Sequence, residues 1–145
     1  MKVGEAIYSI LSNDATVSGV VGTKIFPVVA TEKSSVPYIV YNLISETPTN
    51  TKGDGASFSL AATRSPLDND RVQVSCFTDT YVGAVDLTFA IRGAMDRGTY
   101  TSGTLEVENI IYLDTVDDYE KKADDKGVFA KHSDYTFRIR NVSLI

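Results

Sequence analysis

The chain has 145 residues, of which 43% are hydrophobic and 23% charged, so it can form one compact domain with a core but hardly two. We therefore predict a single domain over residues 1–145. Its 14 basic and 19 acidic residues give a net charge of -5. This is the wrong overall sign for a protein that binds the phosphate backbone of nucleic acids. No apolar run approaches the roughly 20 residues of a membrane span, and no secretion signal is evident. We expect a cytoplasmic protein with no membrane partner.

The N-terminal region begins with an amphipathic helix. Apolar residues fall at helical spacing, at Val3, Ala6, Ile7, Ile10 and Leu11. This pattern predicts a helix from about residue 2 to 12, and Ser12, Asn13 and Asp14 are plausible stop residues. The valines and glycines of "ATVSGVVGTKIFP" indicate a turn and a short strand around Ile25 and Phe26 that ends at Pro27.

The next region combines a strand with polar loops. "VPYIVYNLISETP" is rich in β-branched and aromatic residues, which predicts a strand from Tyr38 to Ser45. "TNTKGDGAS" is typical of a loop that a partner orders. "FSLAAT" indicates a weaker strand, and "RSPLDND" a loop.

"RVQVSCFTDTYVGAVDLTFAIRGAMD" changes from a period of two to a helical period. Two faces alternate, Val72, Val74 and Cys76 on one and Gln73, Ser75 and Phe77 on the other. Both faces carry apolar residues, which favours an inner strand. A helix follows over about residues 81–96. Thr78 or Thr80 is its candidate N-cap, and Gly98 suits its C-terminal cap.

The C-terminal region predicts strands around a charged segment. "TLEVENIIYLDTVDDYE" indicates one strand, or two with a bend at Asn109. "DDYEKKADDKG" indicates a loop or hairpin tip, and "HSDYTFRIRNV" a half-buried strand that exposes Arg138 and Arg140. The element order favours an α+β fold, a mostly antiparallel sheet with an N-terminal helix and a central helix packed on one face.

Residues that could support chemistry are few. The chain has one histidine, His132, and one cysteine, Cys76, whereas a metal site needs several converging ligands. Cys76 lies in an apolar alternation, where cysteine behaves as a small hydrophobe. The paired acids Asp117–Asp118 and Asp124–Asp125 lie among lysines and lack the two distinct environments of a general acid and base. We therefore predict no catalytic, cofactor-binding or metal-binding residues, no cofactor, and a non-enzymatic protein.

The order of these segments resembles the tail-completion, or tail-terminator, proteins of long-tailed, siphovirus-like phages and prophages. The segments concerned are the N-terminal helix, "VSGVVGTKIFP", "PYIVYNLIS", "RVQVSCFTDTYVGAVDLTFAIRGAM" and "DDYEKKADDKGVFAKHSDYTFRIR". The resemblance implies a subunit that forms a ring, usually of six copies, at the head-proximal end of the tail tube. Such a ring stops tube polymerisation and presents the surface that joins the head. It implies as partners other copies, the tail tube protein, head–tail connector proteins, and genomic DNA that only passes through the lumen. The location implied is the neck of the virion tail, after assembly in the host cytoplasm.

Two polar segments, at about 46–57 and 117–127, are the predicted interaction loops, because each is long enough to reach a neighbour. The residues concerned are Thr49, Asn50, Lys52, Asp54, Asp118, Lys121, Lys122, Asp125 and Lys126. The acidic composition also predicts a lumen wall that is not strongly basic.

Three alternatives remain open from the sequence. One is another neck component, such as a stopper or head-completion protein. The second is a small enzyme that uses Cys76 with His132. The third is a ligand-binding module with a pocket between the sheet and the helices.

Overall fold

A computed structural model describes residues 3–30, 35–48, 67–103, 105–121 and 127–141. The helices of this part of the chain are α1 (Val3–Asn13), α2 (Ala15–Val21) and α3 (Tyr81–Met95). The strands are β1 (Ile25–Pro27), β2 (Tyr38–Pro48), β3 (Leu67–Thr78), β4 (Tyr100–Ser102), β5 (Leu105–Lys121) and β6 (Gly127–Asn141). The predicted α+β class is confirmed. None of the described helices is both long and apolar enough to cross a membrane.

The six strands form one sheet in the order β1-β2-β3-β6-β5-β4. Only β1 and β2 are parallel, and the other four neighbouring pairs are antiparallel. As predicted, β3 is an inner strand, between β2 and β6. Strand β5 is continuous but shifts register against β6 between Val107 and Asn109 and again between Tyr112 and Asp114. The first shift coincides with the predicted bend, and such irregularities increase the local twist.

The core lies between the helices and one face of the sheet, as predicted. Its helical members include Val3, Ala6, Ile7 and Leu11 of α1, and Ala84, Leu87, Ile91 and Met95 of α3. Strands β3 and β6 contribute alternate residues, Val72, Val74, Cys76, Tyr135, Phe137 and Ile139. Because strand side chains alternate faces, the other set of residues lies on the helix-free face. Arg138 and Arg140 belong to this second set and are exposed, as predicted.

The prediction of a turn after Asp14 is wrong, because Asp14 starts a second helix. Its Oδ1 accepts hydrogen bonds from the amides of Thr16 and Val17, each at 3.0 Å. An aspartate at this position satisfies amides that have no partner within the helix. Helix α2 then places Val17 and Val21 in the core.

Three predicted loops are partly strand. Glu46–Pro48, at the start of the predicted 46–57 loop, ends β2 and pairs with Asp68–Asp70. Leu67–Asp70, at the end of "RSPLDND", begins β3 and pairs with β6. Asp117–Lys121 ends β5 and pairs with β6. In each case the neighbouring strands determine the structure of a polar sequence, since a ladder needs backbone groups and not apolar side chains. "FSLAAT" lies outside the described residues.

The ends of α3 give one confirmed and one wrong prediction. Thr80 is the N-cap, and its hydroxyl accepts a hydrogen bond from the Gly83 amide at 3.0 Å. The C-cap is Asp96, and the left-handed residue after it is Arg97, with φ 64°, not the predicted glycine. The Gly98 amide still donates to the Met95 carbonyl at 2.9 Å, and the Arg97 amide donates to the Ile110 carbonyl of β5 at 2.6 Å.

Candidate functional site

Among the described strands, the outer edge of the β5–β6 hairpin is only partly paired. Strand β4 pairs only with Leu105–Val107. Farther along β5, the Arg97 amide donates to the Ile110 carbonyl, and the Asp96 carboxylate accepts from the Tyr112 amide at 3.1 Å. Beyond Tyr112, no described strand lies on the outer side of β5. Free backbone groups at a sheet edge can pair with another chain.

A shallow groove separates α3 from this hairpin, and we call it the hairpin groove. Its lining residues are Tyr81, Val85, Thr88, Phe89 and Arg92 from α3, and Tyr112, Thr115, Tyr119, Phe129 and Lys131 from the strands. It includes a cavity of about 160 Å³ beside Phe89 and Tyr112, and a more open one of about 350 Å³ beside Tyr119 and Phe129. Small-molecule pockets usually bury most of the surface of their ligand, whereas this groove is shallow and open. It therefore suits a partner's side chains better than a bound ligand.

Five aromatic side chains line the groove. The Arg92 guanidinium lies 4.0 Å from the centroid of the Tyr112 ring, a cation–π contact that orients both side chains. Phe129 packs against Tyr81 and Tyr119, with centroid distances of 6.0 and 4.9 Å. Phe89 is 67% exposed. A phenylalanine this exposed leaves apolar area available to a partner.

A polar network closes the end of the groove at the start of α3. The Lys131 ammonium is paired with Asp117, and the Tyr81 hydroxyl donates to the same carboxylate at 3.2 Å. The hydrogen bond from Lys131 lowers the pKa of the Asp117 carboxyl, and the same bond raises the pKa of Lys131. Asp117 and Lys131 therefore both stay charged near neutral pH. The hydrogen bond from Tyr81 to Asp117 connects α3 to the hairpin.

The predicted interaction residues are only partly placed. Asp118 and Lys121 lie in β5 and are exposed, not in a loop as predicted. The Asp118 side chain lies on the helix-free face, with Oδ2 3.6 Å from His132 Nε2. The remaining predicted residues, Thr49, Asn50, Lys52, Asp54, Lys122, Asp125 and Lys126, lie outside the described residues.

Cys76 and His132 do not form a nucleophile–base pair. Cys76 is 1% exposed and points to the helices, with Sγ 3.1 Å from Thr88 Oγ1. Burial raises the pKa of its thiol, which disfavours the reactive thiolate. His132 lies on the opposite face, where Nδ1 is 2.6 Å from Ser75 Oγ. Two side chains on opposite faces of one sheet cannot contact each other as a nucleophile and its base.

Ser75, His132 and Asp118 form a chain of polar contacts that the sequence analysis missed. The serine and aspartate contact the two different ring nitrogens of the histidine. However, Ser75 is only 4% exposed. A buried hydroxyl cannot reach a substrate, so the cluster is a cross-strand contact.

Three carboxylates gather at one end of β2 and β3, and this cluster was also missed. One oxygen from each of Glu46, Asp68 and Asp70 lies within 4.8 Å of the others. Asp70 is 2% exposed, and its Oδ1 has no hydrogen-bond partner. Burial, and then the charges of Glu46 and Asp68, raise the pKa of the Asp70 carboxyl to about 7. Exposed acids often cluster without an ion, so the expectation of no metal site stays a prediction.

Comparison with known protein families identifies the chain. The family model described as tail completion protein gp17 matches residues 5–140, which is nearly the whole length. The chain belongs to this tail completion family. No curated protein matches it.

Among solved structures, the fold is similar to that of a chain in the virion of a native gene transfer agent particle. The TM-score is 0.65 at 14% sequence identity, over 95% of this chain and 94% of that chain. At this identity the match shows the fold alone. The family itself gives this tail completion protein a structural role in tail assembly.

Proposed function

We propose that this tail completion protein forms a closed ring of six copies at the head-proximal end of the tail tube. The ring stops tube polymerisation and provides the surface that joins the filled head. The family match over residues 5–140 is the observation that carries this proposal.

The shape of the subunit supports ring formation. Its sheet has two different lateral edges, β1 on one side and β4 with the hairpin on the other. A ring needs a heterologous interface, in which one surface meets a different surface on the next copy, and closure prevents indefinite growth. In the assembled particle the partners are other copies, the tail tube protein and head–tail connector proteins. The role is non-enzymatic, and DNA only passes through the lumen, which fits the net charge of -5.

Loss of the protein is expected to give abnormally long tails, because nothing would cap the growing tube. Tail lengths are measured by electron microscopy of particles from cells that lack it. Both wild-type and Cys76→Ala protein should restore the normal length, since the thiol is a packing group. Tails of normal length that fail to join heads would contradict a terminator and favour another neck component. That component would bind purified filled heads, whereas the proposed terminator binds purified tails.

Deletion of residues 49–56 is expected to weaken both ring formation and tail joining, because we assign this polar segment to contacts with the tube or the adjacent subunit. Ring mass by sedimentation and infectious or DNA-transferring particles are the two measurements. A Gly/Ser segment of equal length is the matched control, since it keeps the chain connection and removes only the side chains. It should fail as the deletion does. If the deletion variant formed rings and joined tails to heads as the wild type does, this assignment would be wrong.

A further inference from the structure

Two apolar surfaces lie at opposite edges of the sheet. At one edge, Val28 and Val29 follow β1 and are 69% and 72% exposed; we call them the valine turn. At the other edge lies the hairpin groove, with Phe89 67% exposed. Large apolar side chains with this exposure on both sides of one subunit fit an interface between unlike surfaces.

The backbone holds the valine turn in an uncommon conformation. Val28 has φ 65°, a left-handed value that is a genuine outlier for a β-branched residue. Its amide donates to the Tyr41 carbonyl at 2.8 Å, and the next amide, of Val29, donates to the Pro27 carbonyl at 2.6 Å. These bonds fix a tight turn that displays both valines. Strained residues of this kind gather at binding sites, where the surrounding structure maintains them.

The charges of the two edges are complementary. Residues 15–30 contain one charged side chain, Lys24, and no acid. Strand β5 contains six carboxylates and one lysine, and β6 contains Lys131, Arg138 and Arg140 with one acid, so the described strands of the hairpin carry a net charge of -3 (-5 from β5 and +2 from β6). An approach of the first edge to the second therefore brings an apolar surface with one cation towards an acidic strand, whereas two copies of the hairpin would repel each other.

We propose that the valine turn of one copy packs into the hairpin groove of the next copy, beside the outer side of β5. This inference rests on the proposed ring, because it names the two surfaces that the ring would join. The aromatic wall around Phe89 supplies the apolar contact, and the acidic strand β5 attracts Lys24. The occupant is a second copy of this chain, since that copy presents an exposed apolar turn beside one cation.

A cysteine trap tests the contact. Full-length Val29→Cys and Phe89→Cys proteins, one with a short tag that alters its size, are mixed and oxidised with diamide. Cys76 stays in both, because it is buried. We expect mixed-size dimers on a non-reducing gel, at least tenfold above those from a control mixture of Val29→Cys with Tyr8→Cys. Tyr8 is 40% exposed on α1. Equal trapping in both mixtures, or none in the first, would overturn the proposal.

A second variant separates assembly from folding. Asparagine tolerates the left-handed conformation of residue 28, so Val28→Asn should keep or raise Tm. Its ring formation should require at least tenfold more protein by sedimentation. Wild-type assembly by Val28→Asn would overturn the proposal. Long tails without the protein, together with a failed trap, would mean that the terminator role holds and the assigned surfaces are wrong. Normal tails with successful trapping would instead reject the terminator role alone.

Discussion

Replacement of Phe137 with alanine is expected to lower the free energy of unfolding by about 3–5 kcal/mol. Phe137 is fully buried in β6, where it pairs with Asp70 of β3 and Ile110 of β5. Truncation would leave a cavity between the sheet and the helices, which the neighbouring strands cannot close without breaking their ladders. Urea denaturation followed by circular dichroism measures the loss.

Phe89→Ala is the matched control, because it removes the same atoms from an exposed position of α3. We expect it to change the free energy of unfolding by less than about 0.5 kcal/mol. Similar losses in the two variants would show that Phe89 is part of the core, and would contradict the assignment of the hairpin groove as an exposed surface.

Asp70→Asn is expected to stabilise the protein at pH 8 by about 1–2 kcal/mol, or roughly 3–8 °C in Tm. The folded state raises the pKa of this carboxyl from 3.8 to about 7, so folding favours its protonated form. The stability of the wild type therefore falls as pH rises through this range and stays lower above it. The expected stabilisation is smaller than the full pKa shift of Asp70 implies, because the neighbouring carboxylate of Glu46 is exposed and solvent screens its charge. The neutral amide avoids the charge and can donate to Glu46 or Asp68.

The measurement is Tm of the wild type and the variant at pH 5 and pH 8, in the presence of a chelator. The advantage of Asp70→Asn should be clearly smaller at pH 5 than at pH 8. Asp86→Asn, on the exposed side of α3, is the control and should show no such difference. An advantage of Asp70→Asn that is equal at both pH values would mean that the carboxyl does not titrate in this range.

The local patterns of the sequence predicted much of the fold. The apolar spacing of α1 and α3, and the alternation in β3 and β6, identified which side chains enter the core. This succeeds because helix and strand periodicities are local, and burial acts on each residue in turn. Local rules failed where polar residues had two compatible structures. Asp14 was predicted only to help stop one helix; α1 does end at Asn13, but Asp14 also starts α2.

The candidate site depended more on distant pairings. Nothing within "SPLDND" indicates that Asp70 faces inward, because that depends on where β3 begins and on its register with Glu46. The hairpin groove likewise brings residues of α3 together with Tyr119 and Phe129, which belong to two later strands. Its aromatic members were visible in the sequence, but as general core candidates.

The sequence by itself determined the α+β class, the buried faces of the helices and strands, and the role of Cys76 as a buried packing residue. These features follow from periodicity, which is a pattern over a few neighbouring residues. The sequence also provided the resemblance that the family match bears out. Tertiary structure alone decided that Cys76 and His132 lie on opposite faces, that β1 and the hairpin form opposite edges, and that the valine turn and the groove are both exposed. These features follow from strand order and register, which are set by contacts between residues far apart in the chain.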